Sequence, residues 1–322
     1  MSAPELLNTE LVRTRFDRAV ATYADAAVVQ REVGNRLLER FDVMRLSPAV
    51  VLDVGCGPGT HTGALAARFA DAEIVAIDQS AAMVSRAAPV VDAPKANWLE
   101  RFGLSRKSAT PAGHTRGVAA DMAALPFARE HADVLWSNFA LQWANDLPAL
   151  FAEWNRVLKI GGVMMFTAPG PDTLIELRRA LTCANVAPDE RVQRFTDLHD
   201  IGDMLVHAGF ADPVMDMEVI TLEYASVDAL WRDLKAQAAT NAMQSRPRGL
   251  MTPRKLRAIE AALDAGRRDG GPIRISVEVI YGHAWKVAPK KTADGHAVVR
   301  LDAIGRGKPP GAARSGVCFA WG

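Results

Sequence analysis

The chain is poor in several things, and each shortage excludes something. Cysteine occurs 3 times in 322 residues, as Cys56, Cys183 and Cys318, far apart and without paired spacing. That rules out a disulfide framework and a cysteine-based zinc site, and it fits a reducing, cytoplasmic setting. Net charge is scarce too. Basic residues number 38 against 37 acidic ones, leaving +1. No global field therefore draws the protein to nucleic acid or to a membrane surface, and any docking patch has to be local. No apolar run approaches the ~18 residues of a membrane span. The opening MSAPELLNTELVRTRF has acids and no apolar core, unlike a secretory leader. Internal repeats are lacking as well. What is present is a globular balance of 49% hydrophobic and 23% charged residues, long enough for one elaborated domain or two small ones.

The most informative stretch is VVLDVGCGPGTHTGALAARFADAEIVAID, residues 50–78. Val50 to Val54 reads as a strand buried on both faces. Gly55-Cys56-Gly57-Pro58-Gly59 then interrupts any regular element. Thr60 is placed to cap a following helix, on which Leu65, Ala66 and Phe69 recur at helical spacing. Ile74 to Ile77 is a second strand, ending in Asp78. Glycines allow a tight turn and close approach of backbone to a ligand. An acid at the end of the second strand, ~20 residues on, suits ribose hydroxyls. The spacing is G-x-G-x-G rather than the dinucleotide G-x-G-x-x-G. Together with Asp53, this run resembles motif I of the class I S-adenosylmethionine-dependent methyltransferases. The resemblance implies that the turn passes the methionine end of the cofactor and that Asp78 binds ribose.

Alternating elements occupy most of the rest. Residues 8–22 and 26–45 read as amphipathic helices, with Tyr23, Gln30 and Arg31 as polar groups on apolar faces. They form either a packed helical pair or a lid. Residues 80–88 are helical, with Met83 on the apolar side. Residues 89–117 lose periodicity and read as an inserted, mobile surface loop. Val118 to Asp121 is a short strand; Asp121-Met122 at its end is either a turn cap or a partner for an adenine amino group. Residues 133–137 form a strand ending at Asn138, followed by Phe139-Ala140-Leu141-Gln142-Trp143. The carboxyl ends of parallel strands face the ligand, which puts Asn138, Gln142 and Trp143 at the site edge. A helix over 146–158 stops at Gly161-Gly162, and 163–168 is the next strand. Further helices are predicted at 172–183, bearing Arg178 and Arg179, and at 196–209. Strands follow at 213–224 and 273–287. Residues 226–268 read as largely helical, interrupted at Pro247 and Gly249, and carry the cluster Arg246, Arg248, Arg254, Lys255 and Arg257. The tail holds one candidate strand, His296 to Leu301, and then a Gly/Pro/Arg-rich, disordered stretch.

Three segments narrow the resemblance. They are Phe16-Asp17-Arg18-Ala19 with Thr22-Tyr23, Ser137-Asn138-Phe139-Ala140-Leu141-Gln142-Trp143, and Gly170-Pro171-Asp172-Thr173-Leu174 with Glu176-Leu177. Over residues 10–287 the chain is similar to the malonyl-acyl carrier protein O-methyltransferases of biotin synthesis. It also resembles a methyltransferase-like mitochondrial complex I assembly factor described as a protein-arginine hydroxylase. The first resemblance implies a Rossmann-like α/β fold: a mostly parallel seven-stranded sheet, helices on both faces and helical additions forming a lid. It implies a lid at 1–45, a cofactor-binding domain at 46–287 with insertions at about 169–195 and 226–270, and a partly disordered extension at 288–322. It implies S-adenosylmethionine as methyl donor, S-adenosylhomocysteine as product and no metal, with Asp53, Gly55, Cys56, Gly57, Gly59, Asp78, Gln79, Met83, Asp121, Met122 and Asn138 around the cofactor.

The partner implied is an acyl carrier protein bearing a malonyl group, which the basic cluster could dock. A malonyl carboxylate is ionised at pH 7, since its pKa is about 4. No general base is then needed, and catalysis is a matter of alignment. What the reaction does need is a donor fork to hold one carboxylate oxygen. Arg18 and Tyr23 from the lid, Gln142 and Trp143 at the strand end, and Asp172, Thr173, Arg178 and Arg179 on the added helix are the candidates for the acceptor. Two other readings remain: methylation of another small acceptor such as a quinone hydroxyl, which requires a base, and an assembly or protein-modifying factor.

Overall fold

A computed structural model describes residues 6–91 and 115–288. Seven strands form one sheet. They are β1 (Val50–Val54), β2 (Glu73–Asp78), β3 (Thr115–Ala119), β4 (Ala132–Asn138), β5 (Leu158–Pro169), β6 (Phe210–Tyr224) and β7 (Ile273–Lys286), in the order β3-β2-β1-β4-β5-β7-β6. The first five pair in parallel, and β7 runs antiparallel to both β5 and β6.

Register explains why the central strands are apolar throughout. Val51 lies opposite Ile74 and Val134, while Leu52 lies opposite Val75 and Leu135. Alternate residues thus feed opposite faces, and both faces are covered. Val51, Ile74, Val134 and Trp136 pack under α2 (Val28–Glu39) and α3 (Thr62–Arg68), through Val33, Leu37 and Leu65. Leu52, Val75 and Leu135 pack under α5 (Leu147–Val157) and α7 (Leu198–His207), through Phe151, Trp154 and Leu205. Each such buried Leu, Val or Phe contributes about 1.5–3 kcal/mol relative to exposure. Helices α1 (Thr9–Ala26) and α4 (Ala81–Val91) complete the layers around β1 to β3.

The two segments expected as insertions meet. Helix α6 (Ile175–Cys183) from one packs on α8 (Val227–Ala236) and α9 (Pro253–Ala265) from the other. Leu177, Leu181, Leu230, Ile259, Leu263 and Ile275 make a separate small core.

Several boundaries differ from the sequence expectation, for identifiable reasons. Thr60 does not cap α3; His61 occupies that position without a side-chain bond, and the Thr62 hydroxyl is committed to Asp53. Gly161-Gly162 does not stop a helix but sits inside β5, at an irregularity between the Ala132–Leu158 and Val134–Val163 pairs. Helix α6 starts at Ile175, since Leu174 adopts φ 60, incompatible with a continuing helix. The interruption expected at Pro247 and Gly249 is present but longer, spanning residues 237–252 between α8 and α9. The expected loop at 89–117 overlaps the last turn of α4 and the first half of β3. Its centre, and the whole predicted tail strand at His296 to Leu301, lie outside the described residues.

Candidate active site

The strand order reverses direction between β1 and β4, and at such a switch point the carboxyl ends of the strands leave a crevice. The glycine turn, Asp78 and Asn138 come from there. After β1 the backbone turns through Gly55 at φ 75 and Gly57 at φ 53, values that side-chain-bearing residues rarely adopt. A Cβ on Gly55 would also stand 2.5 Å from that of Ala140. The turn is held down by the Gly55 and Cys56 N–H groups, both donating to the Ile77 carbonyl.

Asp78 at the tip of β2 is pinned from two sides. Its Oδ2 accepts from Gly57 N–H at 3.0 Å and its Oδ1 from Ser80 N–H at 2.8 Å. Burial raises its pKa despite those two bonds. Beneath the turn, Asp53 is enclosed at 3% exposure, and Thr62 Oγ1 donates to it at 2.6 Å. Burial pushes the Asp53 carboxyl up to about 7, against the Thr62 bond and with the charge of Asp78 adding to the rise. Helix α1 closes over this floor. Ser80 Oγ donates to Asp17 at 2.5 Å, and the Tyr23 phenol is driven upward by desolvation and by Asp78.

Asn138, at the end of β4, is anchored to the scaffold through both ends of its amide. Its Nδ2 donates to the Gln30 carbonyl at 2.7 Å and its Oδ1 accepts from Thr167 Oγ1 at 2.7 Å. Phe139 follows at φ 51, a left-handed conformation costing about 1–2 kcal/mol. The Thr167 carbonyl and hydroxyl steady it by accepting from the Phe139 N–H.

Two cavities abut here. The first, about 220 Å³, is lined by Phe16, Tyr23, Gly55, Gly57, Asp78, Gln79, Asp121, Met122 and Asn138, among others. The second, about 460 Å³, is walled mainly by apolar residues of α6, α8, α9 and β7, with Gln30, Gln142, Thr173 and Arg191 among them. Phe139 and Trp143 belong to both and form the partition.

The structure thus gathers seven of the expected cofactor residues in one cavity: Gly55, Gly57, Asp78, Gln79, Asp121, Met122 and Asn138. Asp53, Cys56, Gly59 and Met83 lie behind it. Asp53 supports the turn, Cys56 packs with Ala76 and Ala87, Gly59 abuts Ala87, and Met83 is fully buried. Among the expected acceptor residues, Tyr23 lines the first cavity, Gln142 and Thr173 the second, and Trp143 both.

The expected arginines are elsewhere. Arg18 and Arg179 are exposed on helix surfaces, and Asp172 is exposed as well, its backbone N–H donating to Glu278. Arg178 is turned away from the cavity. It donates to the Val192 and Gln193 carbonyls and pairs with Asp189. Sequence reading missed Arg191, which lies in an aperiodic connection with no local signal to mark it.

A reversed parallel sheet with a glycine turn and paired acids at its switch point defines a class I methyltransferase. Residues 52–166 match the methyltransferase domain family. Two solved structures share the fold: the YcgJ protein of Bacillus subtilis, with TM-score 0.51, 16% identity and coverage of 78% of this chain and 97% of that one, and a putative methyltransferase from Bacillus halodurans, with TM-score 0.52, 18% identity and coverage of 79% and 98%. Curated relatives are much closer in sequence. The malonyl-[acyl-carrier protein] O-methyltransferase of Nitrosospira multiformis is 46% identical over 87% of this chain and 89% of its own length. That of Gallionella capsiferriformans is 42% identical over 92% and 97%. The chain belongs to the malonyl-[acyl-carrier protein] O-methyltransferase family.

Proposed function

We propose that the protein transfers the methyl group of S-adenosylmethionine to the free carboxylate of a malonyl thioester on an acyl carrier protein, an early step of biotin synthesis. The observation that carries this reading is the match to relatives of that name at 42–46% identity over nearly the whole chain. The paired cavities support it.

The residues of the first cavity suit the donor. Asp78 uses two lone-pair directions on backbone N–H groups, and a carboxylate offers about four, so two remain for ribose hydroxyls. Asp121, whose Oδ1 accepts from Ala123 N–H at 2.9 Å, and Met122 would hold the adenine. The open backbone at Gly55 and Gly57 would take the methionine end. Bound there, the donor supplies a methyl on a positively charged sulfur that needs no further activation.

The second cavity would take the acceptor. Among the described residues its wall holds no histidine, and the Oδ2 of its carboxylate, Asp233, already accepts from Tyr224 O–H at 2.5 Å and Gln237 Nε2 at 2.8 Å. A phenol or alcohol acceptor would require a base. A carboxylate does not, being ionised at neutral pH with a pKa of about 4. One carboxylate oxygen forms the new O–CH₃ bond as the S–CH₃ bond breaks. The two opposite charges cancel and no proton moves. The chain's task is then alignment and exclusion of water by Phe139 and Trp143, a contribution of up to about 7–11 kcal/mol in well-oriented systems.

In this reading α1 and α2 act as the lid, and the helical additions make the acceptor pocket. Exposed Arg248, Arg254, Lys255 and Arg257 beside Met251 and Leu256 of the cavity wall form the docking face for an acidic carrier protein. The test is transfer of labelled methyl to malonyl- against acetyl-acyl carrier protein. Base-labile label on the malonyl form alone is the expected result. Cofactor binding without transfer to either would overturn the reading and favour an assembly-factor role.

A further inference from the structure

We infer that Arg191 is the residue that grips the acceptor's carboxylate and thereby tells substrate from methylated product; this rests on the carboxyl-methylation reading above. Arg191 follows the turn at Pro188–Glu190, between α6 and α7, and lines the 460 Å³ cavity. Its Nε is buried and has no hydrogen-bond partner. A buried N–H of a charged group without an acceptor is costly, and folded proteins rarely leave one.

It is not an isolated lapse. Gln30 Oε1, Gln142 Oε1 and Trp231 Nε1 are buried and unpartnered in the same way, and all three residues line the same cavity. Of the eight such atoms among the described residues, these four, two donors and two acceptors, cluster around one space, an arrangement that suits a polar ligand. Among the described residues, Arg191 is the only cationic one of that wall. Asp233 is the only anionic one among them, and its Oδ2 already accepts from Tyr224 and Gln237. The fork of an arginine, Nε with one Nη, matches a carboxylate in two parallel hydrogen bonds.

The surroundings hold Arg191 in place. Arg178 binds Asp189 and the Val192 and Gln193 carbonyls, on either side of it. Gln193 Nε2 then ties the segment to the Gln142 carbonyl at 2.6 Å. The arginine expected from the sequence to meet the substrate is instead a brace for the one that does. Methylation removes the negative charge, so the grip on the acceptor is lost in the step that makes the product.

The test compares binding of malonyl-acyl carrier protein and of its malonyl methyl ester form, both with S-adenosylhomocysteine present. The wild type is expected to prefer the free acid by at least about tenfold, the scale of a charge-assisted pair. Arg191→Met is expected to erase that preference, to raise KM for malonyl-acyl carrier protein by a similar factor, and to leave S-adenosylhomocysteine affinity unchanged, which also reports an intact fold. Arg191→Lys should recover only part, having charge without the fork. If the wild type methylates malonyl-acyl carrier protein while Arg191→Met retains the preference and KM, the assignment to Arg191 is overturned and the function stands. If the wild type transfers no methyl to it, the function itself falls.

Discussion

The two cavities differ in how their polar atoms are used. Around the smaller one, Asp78, Asn138 and Asp53 each have partners within the protein. Around the larger one, four buried polar atoms have none. The first is a site whose shape is set before anything enters, which is what electrostatic preorganisation requires. The second keeps its hydrogen-bonding capacity for a guest. In the proposed reading, a donor common to many methyltransferases meets a prearranged floor, whereas acceptor choice rests with residues left unsatisfied.

The comparison can be sharpened first at Asp53. Its folded pKa is about 7, while in the unfolded chain it titrates near 4. Between those values the folded state holds a proton that the unfolded state has released, so stability falls as pH rises through the window. Over pH 4 to 7 the loss is on the order of 4 kcal/mol. Asp53→Asn can still accept from Thr62 but has no such proton to lose. Urea denaturation across pH 4 to 7 should therefore show the variant gaining on the wild type as pH rises. Parallel curves would mean that Asp53 is not a strained floor beneath the turn.

The next effect in size is at Asp78. Asp78→Asn removes the charge that two N–H groups orient, and S-adenosylmethionine affinity measured by calorimetry should drop about a hundredfold, the scale of one to two charged hydrogen bonds. Unchanged affinity would break the idea of a prearranged floor. The smallest effect belongs to the outer face. Replacing Arg254, Lys255 and Arg257 by Ser should raise KM for the carrier protein severalfold at low salt, leave kcat alone, and lose its influence as ionic strength shortens the Debye length below about 8 Å. A kcat effect instead would place those residues inside the acceptor site.

These regions were also unequally legible in the sequence. The glycine turn, Asp78, Asp121 and Asn138 follow from strand ends, because a parallel sheet brings those ends together whatever the connections do. Arg178 and Arg191 could not be sorted that way. Helical spacing fixes which side of α6 Arg178 occupies, but not that the 188–193 segment folds back to meet it. Arg191 gains its role only when α6 (Ile175–Cys183), α8 (Val227–Ala236) and α9 (Pro253–Ala265), separate in the chain, close around a common space. Gly161-Gly162 was misread because glycine marks a helix end and a strand irregularity alike.

Helix α1, finally, is fastened to the far wall. Asn8 N–H donates to the Ala242 carbonyl at 2.9 Å, Arg15 Nη1 to Thr240 O at 2.6 Å and Thr22 Oγ1 to Ala236 O at 3.1 Å. The cover of the smaller cavity, with Phe16 and Tyr23, and the rim of the larger one, at Ala239 to Ala242, are thereby tied to one another by hydrogen bonds. Swinging α1 away from the sheet either breaks those bonds or takes the rim along.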